Sequence, residues 1–183
     1  GRESFTGAQM HSAEWNHGVD IEGKRVAVVG TGASAYQIVP AIVDRVASLT
    51  VFQRSSPWML PTPMYYDDVP DAVLWLSDHL PHFGQWLRLW QHWLGVEGRQ
   101  HTTVIDPEWA GSDSISEVHH RVQESLRAIL AEQYAGRPDL LEKVTPDYLL
   151  GGKRMLRDNG VWAASLRKPQ TTLVTSGLDH FAP

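Results

Sequence analysis

The chain has 183 residues, 20% of them charged, and a formal net charge of −5. That length buries one good core, or one domain carrying a sizeable insertion, and the lack of a dense Lys/Arg stripe argues against nucleic acid or an anionic membrane as partner. With no cysteine, disulfides, thiolate metal sites and cysteine nucleophiles are excluded, which fits a reducing, cytoplasmic setting. No signal peptide and no long apolar run marks a secreted or membrane protein.

In chain order, the first segment is Phe5-Thr6-Gly7-Ala8-Gln9-Met10-His11-Ser12-Ala13-Glu14-Trp15. It is polar and turn-rich and precedes a strand, which suits a domain junction. A hinge or packing role for His11 is at least as natural as proton transfer.

The apolar run Arg25-Val26-Ala27-Val28-Val29 predicts a strand, and Gly30-Thr31-Gly32-Ala33-Ser34-Ala35 follows it and opens a helix pattern that continues to Val43. Such a turn presents unpaired N–H groups and the positive end of a helix dipole to a pyrophosphate. Gly30 permits the sharp reversal, Gly32 lets the backbone approach a phosphate, and Ala35 keeps the helix close to the sheet. The competing reading is an ordinary tight turn. A second strand, Leu49-Thr50-Val51-Phe52-Gln53, arrives at the spacing of a parallel βαβ unit and favours the dinucleotide. NAD sites end that strand on a carboxylate, whereas this chain has Gln53-Arg54-Ser55-Ser56. Arg54 can pair with the 2′-phosphate of NADP(H) and Ser55 can add a hydrogen bond; the alternative is a solvated arginine at a strand end. A partial likeness to a hydrolase nucleophile elbow centred on Ser34 is spoiled by Tyr36, which stands where the final glycine belongs.

Three prolines in Pro57-Trp58-Met59-Leu60-Pro61-Thr62-Pro63 rule out a continuing helix or central strand. Helical spacing then relates Val73, Leu74 and Leu76, and after them Trp86, Leu89, Trp90 and Trp93. A third helix is predicted after Ser114, with Ser114 and Glu117 as a capping box and Val118, Val122, Leu126, Ile129 and Leu130 as its buried face. The eight tryptophans fall heavily in this stretch. They are expected to be core, with an apolar substrate pocket as the alternative. His79, His82, His92, His101, His119 and His120 form no recognised ligand spacing, so no metal site is expected.

Gly151-Gly152-Lys153-Arg154-Met155-Leu156-Arg157-Asp158-Asn159-Gly160 reads as a basic, glycine-flanked loop able to reach a ligand at the sheet edge. An ion pair between Arg154 and Asp158 is the alternative use of Arg154. The strand Thr172-Leu173-Val174-Thr175 returns to the sheet. The expected fold is α/β, a Rossmann-like NADP-binding domain with a helical insertion: residues 1–56, the insertion 57–150, and the returning part 151–183. Lacking an initiator Met and stopping just past a strand, the chain reads as an internal piece of a longer protein.

The pattern FxGxxxHxxxW formed by Phe5, Gly7, His11 and Trp15 resembles the fingerprint of type I Baeyer–Villiger monooxygenases. The related N- and S-oxidising flavin monooxygenases usually carry Tyr or Phe where Trp15 stands. Asn16 departs from the Pro or Asp usual in the family. The loop from Gly151 to Gly160 is similar to the branch that includes 4-hydroxyacetophenone monooxygenase. This resemblance implies an enzyme in which NADPH reduces FAD and the reduced flavin uses O2 to convert a ketone to an ester or lactone. It also implies that Arg154 is the active-site arginine, that Lys153 lies near the NADP 2′-phosphate, and that the fingerprint sets the relative position of the FAD and NADP domains. The FAD-binding domain of the same parent chain, with its own glycine turn, is expected upstream of residue 1, so the fragment alone should be inactive. The remaining alternatives are an N- or S-oxidising flavin monooxygenase and a non-catalytic NADPH-binding module.

Overall fold

The computed structural model describes residues 2–63, 65 and 67–180, with only the backbone of Arg2; Gly1, Met64, Tyr66 and residues 181–183, where the expected 151–183 segment ends, lie outside the described residues. Its centre is a three-stranded parallel sheet made of β1 (Arg25–Val29), β2 (Ser48–Phe52) and β5 (Thr171–Val174), in the order β1-β2-β5. Parallel strands cannot be joined by a hairpin, so α1 (Ala33–Ile42) crosses from β1 to β2. The register is regular, with Val26 opposite Leu49, Val28 opposite Val51, and Val51 opposite Leu173.

A long stretch, residues 53–170, connects β2 to β5. It runs through β3 (Met59–Leu60), α2 (Asp71–His79), α3 (Phe83–Gly95), α4 (Glu117–Gln133), α5 (Pro138–Val144), β4 (Leu156–Arg157) and α6 (Val161–Leu166). β3 lies in the proline-rich loop and pairs in parallel with β4, two residues on each side. Asn159 bonds both the N–H and the carbonyl of Thr62, closing that pairing.

One core joins several of these elements. Val39, Ile42 and Val43 from the α1 region meet Leu49 and Val51 of β2, Leu173 of β5, and Trp162 and Leu166 of α6. Leu130 and Tyr134 at the end of α4, with Leu140 and Val144 of α5, pack into the same cluster. Tyr36 stacks on Trp162 with ring centroids 3.9 Å apart.

Three expectations need correction. The tryptophan stripe is not core: Trp86 is 67% exposed and Trp90 58%, and neither α2 nor α3 buries a residue. The spacing marks an apolar helix face, but among the described residues nothing of the core is packed against it. The cap of α4 is Ser116, whose Oγ accepts from His119 N at 3.2 Å. Ser116 has the extended backbone a cap requires and Glu117 is already the first helical residue, so Ser114 stands two positions too early; its Oγ accepts instead from Trp109 Nε1. The buried face of α4 is also turned from the expected one. Leu126 and Leu130 are buried, but Val118 is exposed and Val122 and Ile129 are half-buried, while His119 and Gln123 hold the inner positions.

Candidate functional site: the glycine turn and the basic loop

The glycine turn has the conformation its residues dictate. Gly30 sits at φ +101°, where a Cβ would be strained, and its N–H donates to Phe52 O at 2.8 Å, tying the turn to the end of β2. Gly32 caps α1 with φ −79°, an ordinary value, so its glycine is not required by backbone strain. A Cβ built on Gly30 or Gly32 would meet nothing within 4 Å, which leaves the outer surface of the turn open. Ala35 is buried, as close helix packing demands, whereas Gly32, Ala33 and Ser34 are exposed. The first N–H groups of a helix have no intrahelical partner, so this open surface is also where α1 offers its donors. Ser34 is exposed and has no hydrogen bond to a histidine or carboxylate among the described residues.

The end of β2 is joined to this turn. Thr31 Oγ1 donates to Ser55 O at 3.2 Å, and Lys153 Nζ donates to Ser55 Oγ at 3.0 Å. Ser55 thus links the glycine turn to a loop nearly a hundred residues later. Arg54, beside it, is exposed, and it borders a cleft of about 360 Å³ together with Gln53, Ser55, Lys143, Asp147 and Thr175. The acid expected of an NAD site is absent from the strand end. Gln53 Nε2 donates to Lys143 O at 2.6 Å, while its buried Oε1 has no partner among the described residues. A larger hollow of about 610 Å³, around Gln133, Gly160 and Arg167, holds none of the predicted site residues.

Aromatic side chains support the basic loop. Lys153 Nζ stands 4.2 Å from the centre of the Tyr148 ring, a cation–π arrangement. Tyr148 is fastened to Trp58: Trp58 Nε1 donates to Tyr148 O at 2.8 Å, and Trp58 N donates to Tyr148 Oη at 3.3 Å. Burial raises the Tyr148 phenol above its ordinary value, so it stays neutral beneath the lysine. Trp58 is fully buried, and its carbonyl accepts from Leu156 N at 2.9 Å, fixing the far side of the loop.

Arg154 is exposed and pairs with no carboxylate among the described residues. Its suggested partner Asp158 has another task, accepting from Gly160 N at 2.7 Å and Trp162 N at 3.1 Å at the start of α6. The fingerprint residues lie on the surface. His11 Nδ1 accepts from Ala13 N at 3.1 Å and caps the short helix Ser12–Glu14. The Phe5 ring fills the space that a Cβ on Gly7 would take.

One cluster of potential metal ligands escaped the sequence pattern: single ligand atoms of Asp113, His120 and Glu124 lie within 4.8 Å of one another. Arg127 occupies it, with Nη1 3.0 Å from Asp113 Oδ2 and 2.6 Å from Glu124 Oε1. The same guanidinium holds the Asp113 carboxyl below its usual range. The parts of the site that sequence reasoning missed are Tyr148 and the bonding of Trp58. No local pattern relates two residues ninety positions apart.

No protein-family model matches the chain. It is 44% identical over 176 residues to an uncharacterised monooxygenase, y4iD, of Sinorhizobium fredii, covering 95% of this chain and 26% of that protein. It is 34% identical over 185 residues to a Baeyer–Villiger monooxygenase of Pseudomonas aeruginosa, covering 97% of this chain and 31% of that one. An FAD-binding monooxygenase of Aspergillus niger, ktnD, is 30% identical over 168 residues, with 90% and 25% covered. The chain therefore spans between a quarter and a third of the length of these relatives. Among solved structures, an oxidised steroid monooxygenase bound to NADP superposes with a TM-score of 0.67 at 24% identity, over 95% of this chain and 37% of that one. The polycyclic ketone monooxygenase of Thermothelomyces thermophila gives 0.72 at 22%, over 100% and 35%. At these identities the likeness establishes the mixed α/β fold.

Proposed function

We propose that this chain, which belongs with the Baeyer–Villiger and FAD-binding monooxygenases, is the NADP(H)-binding portion of an FAD- and NADPH-dependent Baeyer–Villiger monooxygenase. Such an enzyme inserts one oxygen atom of O2 into a ketone and yields an ester or lactone. The parallel sheet and its crossover are then the centre of a Rossmann-like NADP domain, residues 1–56 and 151–183, with 57–150 as its helical insertion. Ketone, O2 and the FAD-binding domain of the same parent chain are its partners.

The observation that carries this reading is the junction at Ser55, which Thr31 bonds from the glycine turn and Lys153 bonds from the basic loop. A dinucleotide phosphorylated at the 2′ position needs both halves of that junction. Its pyrophosphate would lie against the turn of Gly30, Thr31, Gly32, Ala33, Ser34 and Ala35, on the side where Gly32, Ala33 and Ser34 are exposed, facing the first N–H groups of α1. Its 2′-phosphate would be held by Arg54, Ser55 and Lys153; residues 53–56 carry no carboxylate of their own, and the acids of the adjoining cleft are Glu142 and Asp147. FAD, when bound, supplies the redox and oxygen chemistry. This chain's residues bind and orient the reduced coenzyme and stabilise charge. The Arg154 guanidinium would stabilise negative charge that develops on the reacting oxygen atoms. Phe5, Gly7, His11 and Trp15 govern the geometry between the two nucleotide domains.

The test is ester formation by the full-length protein from a panel of ketones, with NADPH and with NADH. The expected result is ester from at least one ketone, at a much higher rate with NADPH. Arg154→Ala should leave NADPH affinity within about twofold and slow ester formation on the order of a hundred- to thousandfold, the usual cost of removing one preorganised charge-stabilising group. Undiminished ester formation by that variant, or equal use of the two coenzymes, refutes the assignment.

A further inference from the structure

The basic loop is held from behind by two buried polar side chains with no part in the contacts described so far. His119 and Gln123 are one helical turn apart on the inner face of α4, at 2% and 1% exposure. They grip both backbone groups of one residue: His119 Nε2 lies 2.9 Å from Leu150 O, and Leu150 N donates to Gln123 Oε1 at 3.3 Å. Since the carbonyl can only accept, Nε2 carries the proton and His119 is the donor. Gln123 is itself oriented, because its Nε2 donates to Asp113 O at 3.0 Å.

Leu150 is a sensitive place to hold. Gly152 N donates to Leu149 O at 2.9 Å, so residues 149–152 form a tight turn, and Gly151 at φ +82° has the conformation that a type II turn requires at its third position. The carbonyl that His119 binds belongs to the central peptide of that turn. This peptide is the one that must rotate for the turn to change type, and Lys153 and Arg154 leave the turn immediately after it.

We infer that His119 and Gln123 are positioning residues for coenzyme choice: by fixing the Leu150 peptide they aim the Lys153 ammonium at Ser55 and thus at the 2′-phosphate. This rests on the proposed role of Lys153 and extends it to two residues that touch no ligand. Buried polar side chains cost stability unless satisfied, and an apolar residue at either position would serve the core equally well. The one side-chain bond of His119 and the Gln123 Oε1 bond both go to Leu150, while Gln123 Nε2 is spent on Asp113 and His119 Nδ1 has no partner among the described residues, so the loop is where the two side chains converge.

The test measures dissociation constants for NADPH and NADH on the full-length protein, with melting temperatures in parallel, for His119→Leu, His119→Gln, Gln123→Leu and Lys153→Ala. The two leucine variants should weaken NADPH about tenfold, roughly the worth of one charge-assisted hydrogen bond, and leave NADH within about twofold. His119→Gln retains an N–H donor and should restore most of the preference. A purely structural role would lower the melting temperature and move both coenzymes together, and that outcome overturns the inference. If Lys153→Ala lowers the preference and the folded leucine variants do not, the positioning role alone is refuted. If Lys153→Ala itself leaves the preference intact, the phosphate site falls and this inference falls with it. Should the leucine variants be too unstable to titrate, amide exchange in the unmodified protein decides. Leu150 N–H must exchange more slowly than Gly151 and Lys153, and equal rates overturn the positioning role.

Discussion

Removing the Lys153 ammonium tests the coenzyme site most directly, because its geometry permits a magnitude. Lys153 Nζ and Ser55 Oγ are 3.0 Å apart, so a phosphate oxygen that accepts from Ser55 would sit roughly 4 Å from the ammonium, where unit charges attract by about 1 kcal/mol in water and about 4 kcal/mol near a protein surface. Lys153 is exposed and its ammonium stays partly hydrated, so the lower part of that range applies. About 1.5 kcal/mol, or a little over tenfold in affinity, is the expected loss for NADPH. NADH has no 2′-phosphate and should lose nothing. The same reasoning gives Arg54→Ala a similar effect, and the double variant should lose less than the sum if both cations serve one phosphate. Isothermal titration of both coenzymes at two ionic strengths is the assay. NADPH affinity should fall with added salt and the dependence should weaken in the variants, since screening acts on the removed charges. Equal losses for NADPH and NADH, or an unchanged salt dependence, would refute the placement of the 2′-phosphate at Ser55.

Other substitutions separate binding from folding. Gly30→Ala forces a side chain into φ +101° and should destabilise the protein by about 1–3 kcal/mol in urea unfolding. Gly32→Ala, at φ −79°, should leave the urea midpoint unchanged but weaken NADPH and NADH alike by obstructing the pyrophosphate. Trp58→Phe removes the bond to Tyr148 O from a fully buried site; a loss of about 1–3 kcal/mol and a fall in NADPH preference are expected, measured by urea unfolding and titration. Asp139 is held down to about 2 by its hydrogen bond from Arg137. A depressed carboxyl stabilises the fold above its unfolded pKa, and that contribution is lost as pH falls from about 4 through about 2. Asp139→Asn should therefore lower the melting temperature slightly near neutrality, where the contribution is fully present, and the gap from the parent should close as pH falls through that window.

The strand, turn and helix from Arg25 to Ile42 were legible because each step is decided locally. β-branched residues favour extension, Gly30 alone accepts the left-handed turn, and the α1 pattern buries Ala35, Tyr36, Val39 and Ile42 on one side. The place of Arg54 and Ser55 at the end of the second strand suggested residues suited to a phosphate, and the family resemblance, not spacing, pointed to Lys153. Neither could reveal that Ser55 joins Lys153 to Thr31 of the glycine turn, since that contact depends on how the intervening residues return. Trp58 and Tyr148 were hidden for the same reason.

The errors on α3 and α4 share a different cause. Hydrophobic period reports which residues lie on one face of a helix, and says nothing of what that face meets. On α3 the apolar face of Trp86, Leu89, Trp90 and Trp93 is well formed yet exposed among the described residues. On α4 the inner face carries His119 and Gln123, polar residues that a period count assigns to solvent. Their burial is offset in part by Leu150, which accepts from His119 Nε2 and donates to Gln123 Oε1, and by Asp113, which accepts from Gln123 Nε2. An apolar pattern assumes that burial is driven by leaving water, whereas a polar side chain can be buried when the backbone of a distant loop satisfies it. The residues that hold the basic loop were unreadable in sequence because their partners are backbone atoms, which leave no trace in residue identity.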